Sequence, residues 1–165
     1  MRYDTKFIVV HCSATRPSQD IGAKEIDRWH RERGFIKIGY ATVIKRNGEI
    51  ERGRDDDDVQ AHCKGFNNIS TSVCLIGGSK ETNHKEPEDN FTAEQWESLK
   101  KELDRVAVKY PNAKIVGHYD LSDIKTCPNF DVDEFLMNED IPNYDYDRHH
   151  KPVSYTHLTL PTIPG

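Results

Sequence analysis

The segment Gly117-His118-Tyr119-Asp120-Leu121-Ser122-Asp123-Ile124-Lys125-Thr126-Cys127-Pro128 places a histidine and a cysteine at the two ends of a polar loop. Imidazole nitrogen and thiolate sulfur together suit a borderline-soft ion such as zinc, and a catalytic zinc site takes three protein ligands with its fourth position left open. A third candidate, His11, ends the apolar run Phe7-Ile8-Val9-Val10 near the amino terminus. No His-Glu-x-x-His or Cys-x-x-Cys pattern gathers ligands locally, so the set depends on a fold that joins positions more than one hundred residues apart. Taken singly, each residue has a plainer reading: a hydrogen-bonded strand-end histidine, or a buried thiol.

The elements that would position them follow from periodicity. Phe7 to Val10 is continuously apolar and β-branched, as in a central strand covered on both faces, with His11-Cys12-Ser13 leaving the sheet. Ser18 and Asp20 are candidate caps for a helix that carries Ile26, Trp29, His30 and Arg33 on one face, and Gly34 ends it. Gly39 to Lys45 and Glu49 to Arg52 flank Asn47-Gly48, a strong hairpin signal. Asp55 to Asp58 reads as a solvated turn without function. Val73 to Ile76 is a buried strand closed by Gly77-Gly78, and residues 79–90 read as a surface loop. Thr92-Ala93-Glu94-Gln95 is a capping box before an apolar stripe of Trp96, Leu99, Leu103, Val106, Ala107 and Tyr110. Lys114 to Val116 then makes the strand feeding the His118 loop, and Asp131 to Met137 a short closing helix.

These elements predict an α/β fold, a single domain over residues 1–138 with a mixed central β-sheet flanked by α-helices. Periodicity disappears at Glu139. Residues 139–165 read as an irregular tail, a linker or non-native extension, with His149 and His150 inert. The net charge of -5 and the lack of a basic stripe exclude an electrostatic nucleic-acid binder. The first apolar run is four residues long, too short for a signal core or a membrane span, so the expectation is cytoplasmic synthesis without membrane insertion. In that compartment the four cysteines, at positions 12, 63, 74 and 127, are expected as thiols. A monomer is expected.

The segments His11-Cys12-Ser13-Ala14-Thr15, Ile38-Gly39-Tyr40, Ala61-His62-Cys63-Lys64-Gly65-Phe66-Asn67 and Lys125-Thr126-Cys127-Pro128 occur in the order and approximate spacing of the zinc N-acetylmuramoyl-L-alanine amidases. The chain resembles that family over residues 5 to 138, and within it the short phage lysozymes of the T7 type. The resemblance implies one catalytic Zn2+ on His11, His118 and Cys127, and a catalytic tyrosine and lysine at Tyr40 and Lys125. It also implies contacts to substrate from His62, with Lys64 and Asn67 as further candidates. The implied reaction is cleavage of the amide between N-acetylmuramic acid and L-alanine in peptidoglycan by a phage or prophage endolysin, which reaches the wall after release.

Three departures from the family pattern stand out. Ala41 follows Tyr40 where histidine is common, the His118 to Cys127 loop is one residue longer, and Thr71-Ser72 replaces a smaller Ile-Gly pair, read as local packing. Two alternatives remain at this point: a muropeptide-recognition module of the same fold that does not cut, and a structural zinc protein in which Asp120 completes a four-ligand site. His62 has its own alternative as a hydrogen-bonded turn histidine.

Overall fold

The structure is a computed structural model and describes residues 2 and 4–150. The expected α/β architecture is present. A five-stranded mixed sheet has the order β3-β2-β4-β1-β7, where β1 is Phe7–Cys12, β2 Thr42–Ile44, β3 Ile50–Arg52, β4 Ser70–Leu75 and β7 Lys114–Gly117. β1 lies parallel to both β4 and β7, β2 lies parallel to β4, and only the hairpin partner β3 runs antiparallel.

Alternation along β1 divides the sheet into two faces. Ile8, Val10 and Cys12 join Ile44, Val73 and Leu75 against Leu99, Leu103 and Val106 of the helix α2 (Ala93–Lys109) and Val132, Phe135 and Leu136 of α3 (Val132–Asn138). On the other face Val43, Ile38 and Ile76 pack on Ile26 of α1 (Ala23–Glu32), with Trp29 against them. His11 projects toward this second face. The strand carries His11 as its fifth residue, since β1 runs through Cys12 and does not leave the sheet at His11.

Helix ends follow local chemistry. Thr92 caps α2, its side chain accepting from the Gln95 amide at 3.1 Å while Gln95 Oε1 accepts from the Thr92 amide at 3.0 Å. α1 starts differently from expectation: its cap is Gly22, and the Gly22 and Ala23 amides donate to carboxylates of Glu25 and Glu51, both at 2.8 Å. Ser18 is instead turned to Glu81, 2.7 Å from its hydroxyl.

Three further expectations are corrected. Residues 79–90 hold a second hairpin, β5 (Ser79–Lys80) with β6 (Asn83–Pro87), whose entirely exposed β6 gives no burial pattern to read. The Asp55 to Asp58 run is a tertiary anchor: Asp56 takes Arg105 at 2.8 Å and Lys109 at 3.5 Å, Asp57 accepts from Tyr110, and Arg2 donates to the Asp58 carbonyl at 2.7 Å. Packing also continues past Glu139. Ile141 is 4% exposed in the main core, Tyr144 accepts from the Ile115 amide at 3.0 Å, and a short helix α4 (Tyr146–His150) stacks His150 on Tyr146. Residues 151–165, read from sequence as part of the tail, lie outside the described residues.

Candidate active site

Register brings the ligand candidates together. β1 and β7 are neighbours with Val10 opposite Gly117, so the residues that follow, His11 within β1 and His118 just past the end of β7, come close despite the long separation in sequence. Their ring centroids are 4.5 Å apart. A single helical turn, His118–Leu121, starts the loop, and the Tyr119 amide closes it by donating to the Cys127 carbonyl at 3.0 Å.

His11, His118 and Cys127 form a group whose ligand atoms all lie within 4.8 Å of one another. His11 Nδ1 and Cys127 Sγ are 3.8 Å apart, close to the separation of about 3.6 Å that a tetrahedral ion imposes on a nitrogen and a sulfur ligand at their usual bond lengths. The Cys12 amide donates to Cys127 Sγ at 3.1 Å, a contact suited to a thiolate. Burial pushes the Cys127 thiol up, with the neighbouring Cys12 adding to the effect, so a cation in the site is what would favour the thiolate. Burial holds the His11 imidazole well below its ordinary value, with His62 and His118 reinforcing it; His118 is lowered by burial and then by the Lys125 charge. Neutral imidazoles are the form that ligates. Asp120 does not join the group: its carboxylate accepts from the Gly117 amide at 3.0 Å and fixes the turn.

The donor set therefore fits zinc, and its three-ligand count fits a catalytic rather than a closed structural site.

A groove of about 690 Å³ opens beside the group, lined among others by Tyr40, His62, Lys64, Asn67, His118 and Lys125. The sequence candidates thus share one site. Tyr40 packs its ring 5.1 Å from His11, and burial raises its phenol well above the ordinary value, with the thiols Cys74, Cys127 and Cys12 next in effect. It is a protonated donor at neutral pH. Lys125 lines the groove near His118 although the loop is one residue longer than the pattern. Asn67 Oδ1 accepts from the His62 and Cys63 amides, both at 2.9 Å, which shapes the loop carrying His62.

Sequence reasoning missed three contributors. His30, given no functional role from the sequence, is 8% exposed, lines the groove and accepts the Gly39 amide on Nδ1 at 2.8 Å. Gly39 itself admits no side chain, because a Cβ would lie 2.0 Å from the Ala61 carbonyl oxygen; the Gly-Tyr pair is a close approach of two loops. Asn129, at φ 68, donates from Nδ2 to the Gly78 carbonyl at 2.7 Å and ties the Cys127 loop to the end of the sheet. An asparagine in a turn is a favoured occupant of that left-handed region, the one signal its sequence offered.

Comparison with known proteins agrees with this geometry. Residues 1–130 match the family model described as N-acetylmuramoyl-L-alanine amidase. The chain belongs to that family. Among curated relatives, the amidase is 40% identical over 144 residues to a protein named endolysin from Escherichia phage T7, covering 87% of this chain and 93% of that one. Among solved structures, N-acetylmuramoyl-L-alanine amidase LysC from Clostridium intestinale URNW superposes with a TM-score of 0.70 at 26% identity, covering 82% of this chain and 85% of LysC. Drosophila PGRP-LB shares the fold alone, at 20% identity and a TM-score of 0.67 over 93% of this chain and 88% of that one. The activity is amidase cleavage of peptidoglycan.

Proposed function

We propose that the amidase holds one zinc ion through His11, His118 and Cys127 and serves as a phage or prophage endolysin, made inside the producing cell and acting on the wall after release. The observation that carries the metal is the convergence of two imidazoles and a thiol, all within 4.8 Å, at the side of a groove. Bound zinc supplies a Lewis acid and water made acidic enough to deprotonate near pH 7.

The chain's own residues do the remainder. The Cys12 amide steadies the Cys127 sulfur in its charged form. Tyr40, protonated and beside His11, donates a hydrogen bond to the attacking water or the scissile carbonyl. Lys125, which lines the groove, offers an ammonium to the oxyanion that forms as the amide carbonyl is attacked. Lys64 and Asn67 are assigned to binding. Among the described residues the groove lining includes the cations Arg33, Lys64 and Lys125 and no carboxylate, on a chain of net charge -5. That segregation favours an anionic substrate, and peptidoglycan stem peptides carry free carboxylates.

Retention of Tyr40 and Lys125 beside a full ligand set favours cleavage over mere recognition. Chelation tests the assignment. The purified protein is expected to contain one zinc per chain, to lose activity on peptidoglycan when it is stripped, and to regain it with zinc. Tyr40→Phe and Lys125→Ala are expected to keep the metal and lose about 100-fold or more in kcat. Full activity after verified metal removal would overturn the zinc reading.

A further inference from the structure

His62 engages protein through both ring nitrogens. Nε2 is 3.0 Å from Ser70 Oγ, and Nδ1 is 2.8 Å from Nε2 of His11. Ser70 Oγ is in turn 2.7 Å from the Phe66 carbonyl oxygen. These three contacts fix every proton in the chain of bonds.

A carbonyl cannot donate, so the 2.7 Å contact requires the single Ser70 hydroxyl proton to point at Phe66. Ser70 is fully buried, and its oxygen then faces His62 as an acceptor. His62 must carry its proton on Nε2 and present a lone pair on Nδ1. That lone pair accepts from His11, which therefore carries its proton on Nε2. The free lone pair of His11 is left on Nδ1, the nitrogen that lies 3.8 Å from Cys127 Sγ.

We infer that His62 is a positioning residue: with Ser70 and the Phe66 carbonyl, it sets the tautomer of His11 so that Nδ1 is presented to the metal. The inference rests on the zinc reading above. It assigns His62 to the ligand rather than to substrate, although its ring also borders the groove. Without this partner His11 is free to place its proton on Nδ1, where it must be lost or moved before the nitrogen can ligate, and the imidazole loses the bond that fixes its ring plane.

The test is zinc affinity by chelator competition, together with long-range proton-nitrogen NMR of the zinc-loaded full chain carrying nitrogen-15 histidine. The spectra are expected to show His62 protonated on Nε2, and His11 protonated on Nε2 with Nδ1 on the metal. His62→Leu removes the acceptor and is expected to weaken zinc about 10- to 100-fold. His62→Asn, whose amide oxygen sits where Nδ1 was, is expected to recover most of that loss. Should His62→Leu fail to fold, Ser70→Ala supplies the second arm: His62 loses its fixed tautomer, and its nitrogen shifts move toward a mixture of the two forms.

A proton on Nδ1 of His62 in the native protein, or equal zinc affinity in the native, Leu and Asn forms, would overturn the inference while leaving the zinc site standing. Lack of stoichiometric zinc binding by the native chain would instead remove the metal reading on which it rests.

Discussion

At the residue scale, the departures from the family pattern prove to be connected. Ser72, which stands where glycine is usual, accepts from the amide of Ala41 at 3.1 Å and donates to Gln60 Oε1 at 2.6 Å. Thr71 beside it accepts from Gln60 Nε2 at 2.9 Å. The pair is more than local packing, since it forms a buried polar bridge to the residue that follows Tyr40. Ser72→Ala leaves the Ala41 amide and one Gln60 lone pair buried without that partner, and an unsatisfied buried group costs about 1–3 kcal/mol. The expected outcome is a loss of stability in that range in a urea melt. A change within a few tenths of a kcal/mol would show that the bridge contributes nothing net.

At the element scale, α2 is fastened by charge as well as by its apolar stripe. Glu102 is 1% exposed and sits among Arg52, Arg105 at 2.9 Å and the Thr42 hydroxyl at 2.7 Å. Burial opposes its ionisation, yet the hydrogen bonds from Arg105, Arg52 and Thr42 outweigh it and hold the carboxyl below its usual value; Asp56 is lowered in the same manner against its own burial, by Arg105 and Lys109. Groups depressed in the folded state add stability above the ordinary carboxylate range, about pH 4, and lose it as pH falls below. The melting temperature is therefore expected to fall from pH 5 to pH 3, and to fall less steeply in Glu102→Gln. Equal slopes would exclude this network as the cause. The stripe of α2 was legible because its partner is the sheet as a whole, and any apolar face of that period needs one. The role of Asp56 was not: its partners come from a helix some fifty positions away, and nothing local distinguishes an anchored aspartate from a solvated one.

At the scale of the whole molecule, the sheet edge explains why the fold does not end with its periodicity. β7 pairs with β1 on one side only, and the Ile115 amide on its open side donates to Tyr144. Covering an edge amide removes a site for unwanted strand pairing, and Ile141 fills the core beneath. Truncation after Asn138 is expected to cut the melting temperature by about 4 °C or more, since a buried isoleucine contributes about 2–5 kcal/mol and each kcal/mol is worth about 2–4 °C in a chain of this size. An unchanged melting temperature would contradict this. Such a segment is hard to read because one isoleucine and one tyrosine make no pattern. The metal ligands were legible for the opposite reason: His11 stands within a strand, His118 directly after one and Cys127 in the loop that follows, all placed by apolar runs, and β1 and β7 had to share a sheet for those runs to be buried. The proton arrangement behind His11 was not legible, because it depends on which lone pair of Ser70 faces which ring. No helix among the described residues is long and apolar enough to cross a membrane.

The most direct test of the central claim is to treat purified peptidoglycan with the zinc-loaded protein and count the chain ends that appear, with Cys127→Ser alongside. The account predicts new L-alanine amino termini, no new reducing sugar ends, and neither in the variant. New reducing ends would mean that a glycosidic bond is cut, and undiminished release by Cys127→Ser would mean that the His11, His118 and Cys127 group is not what cleaves the amide.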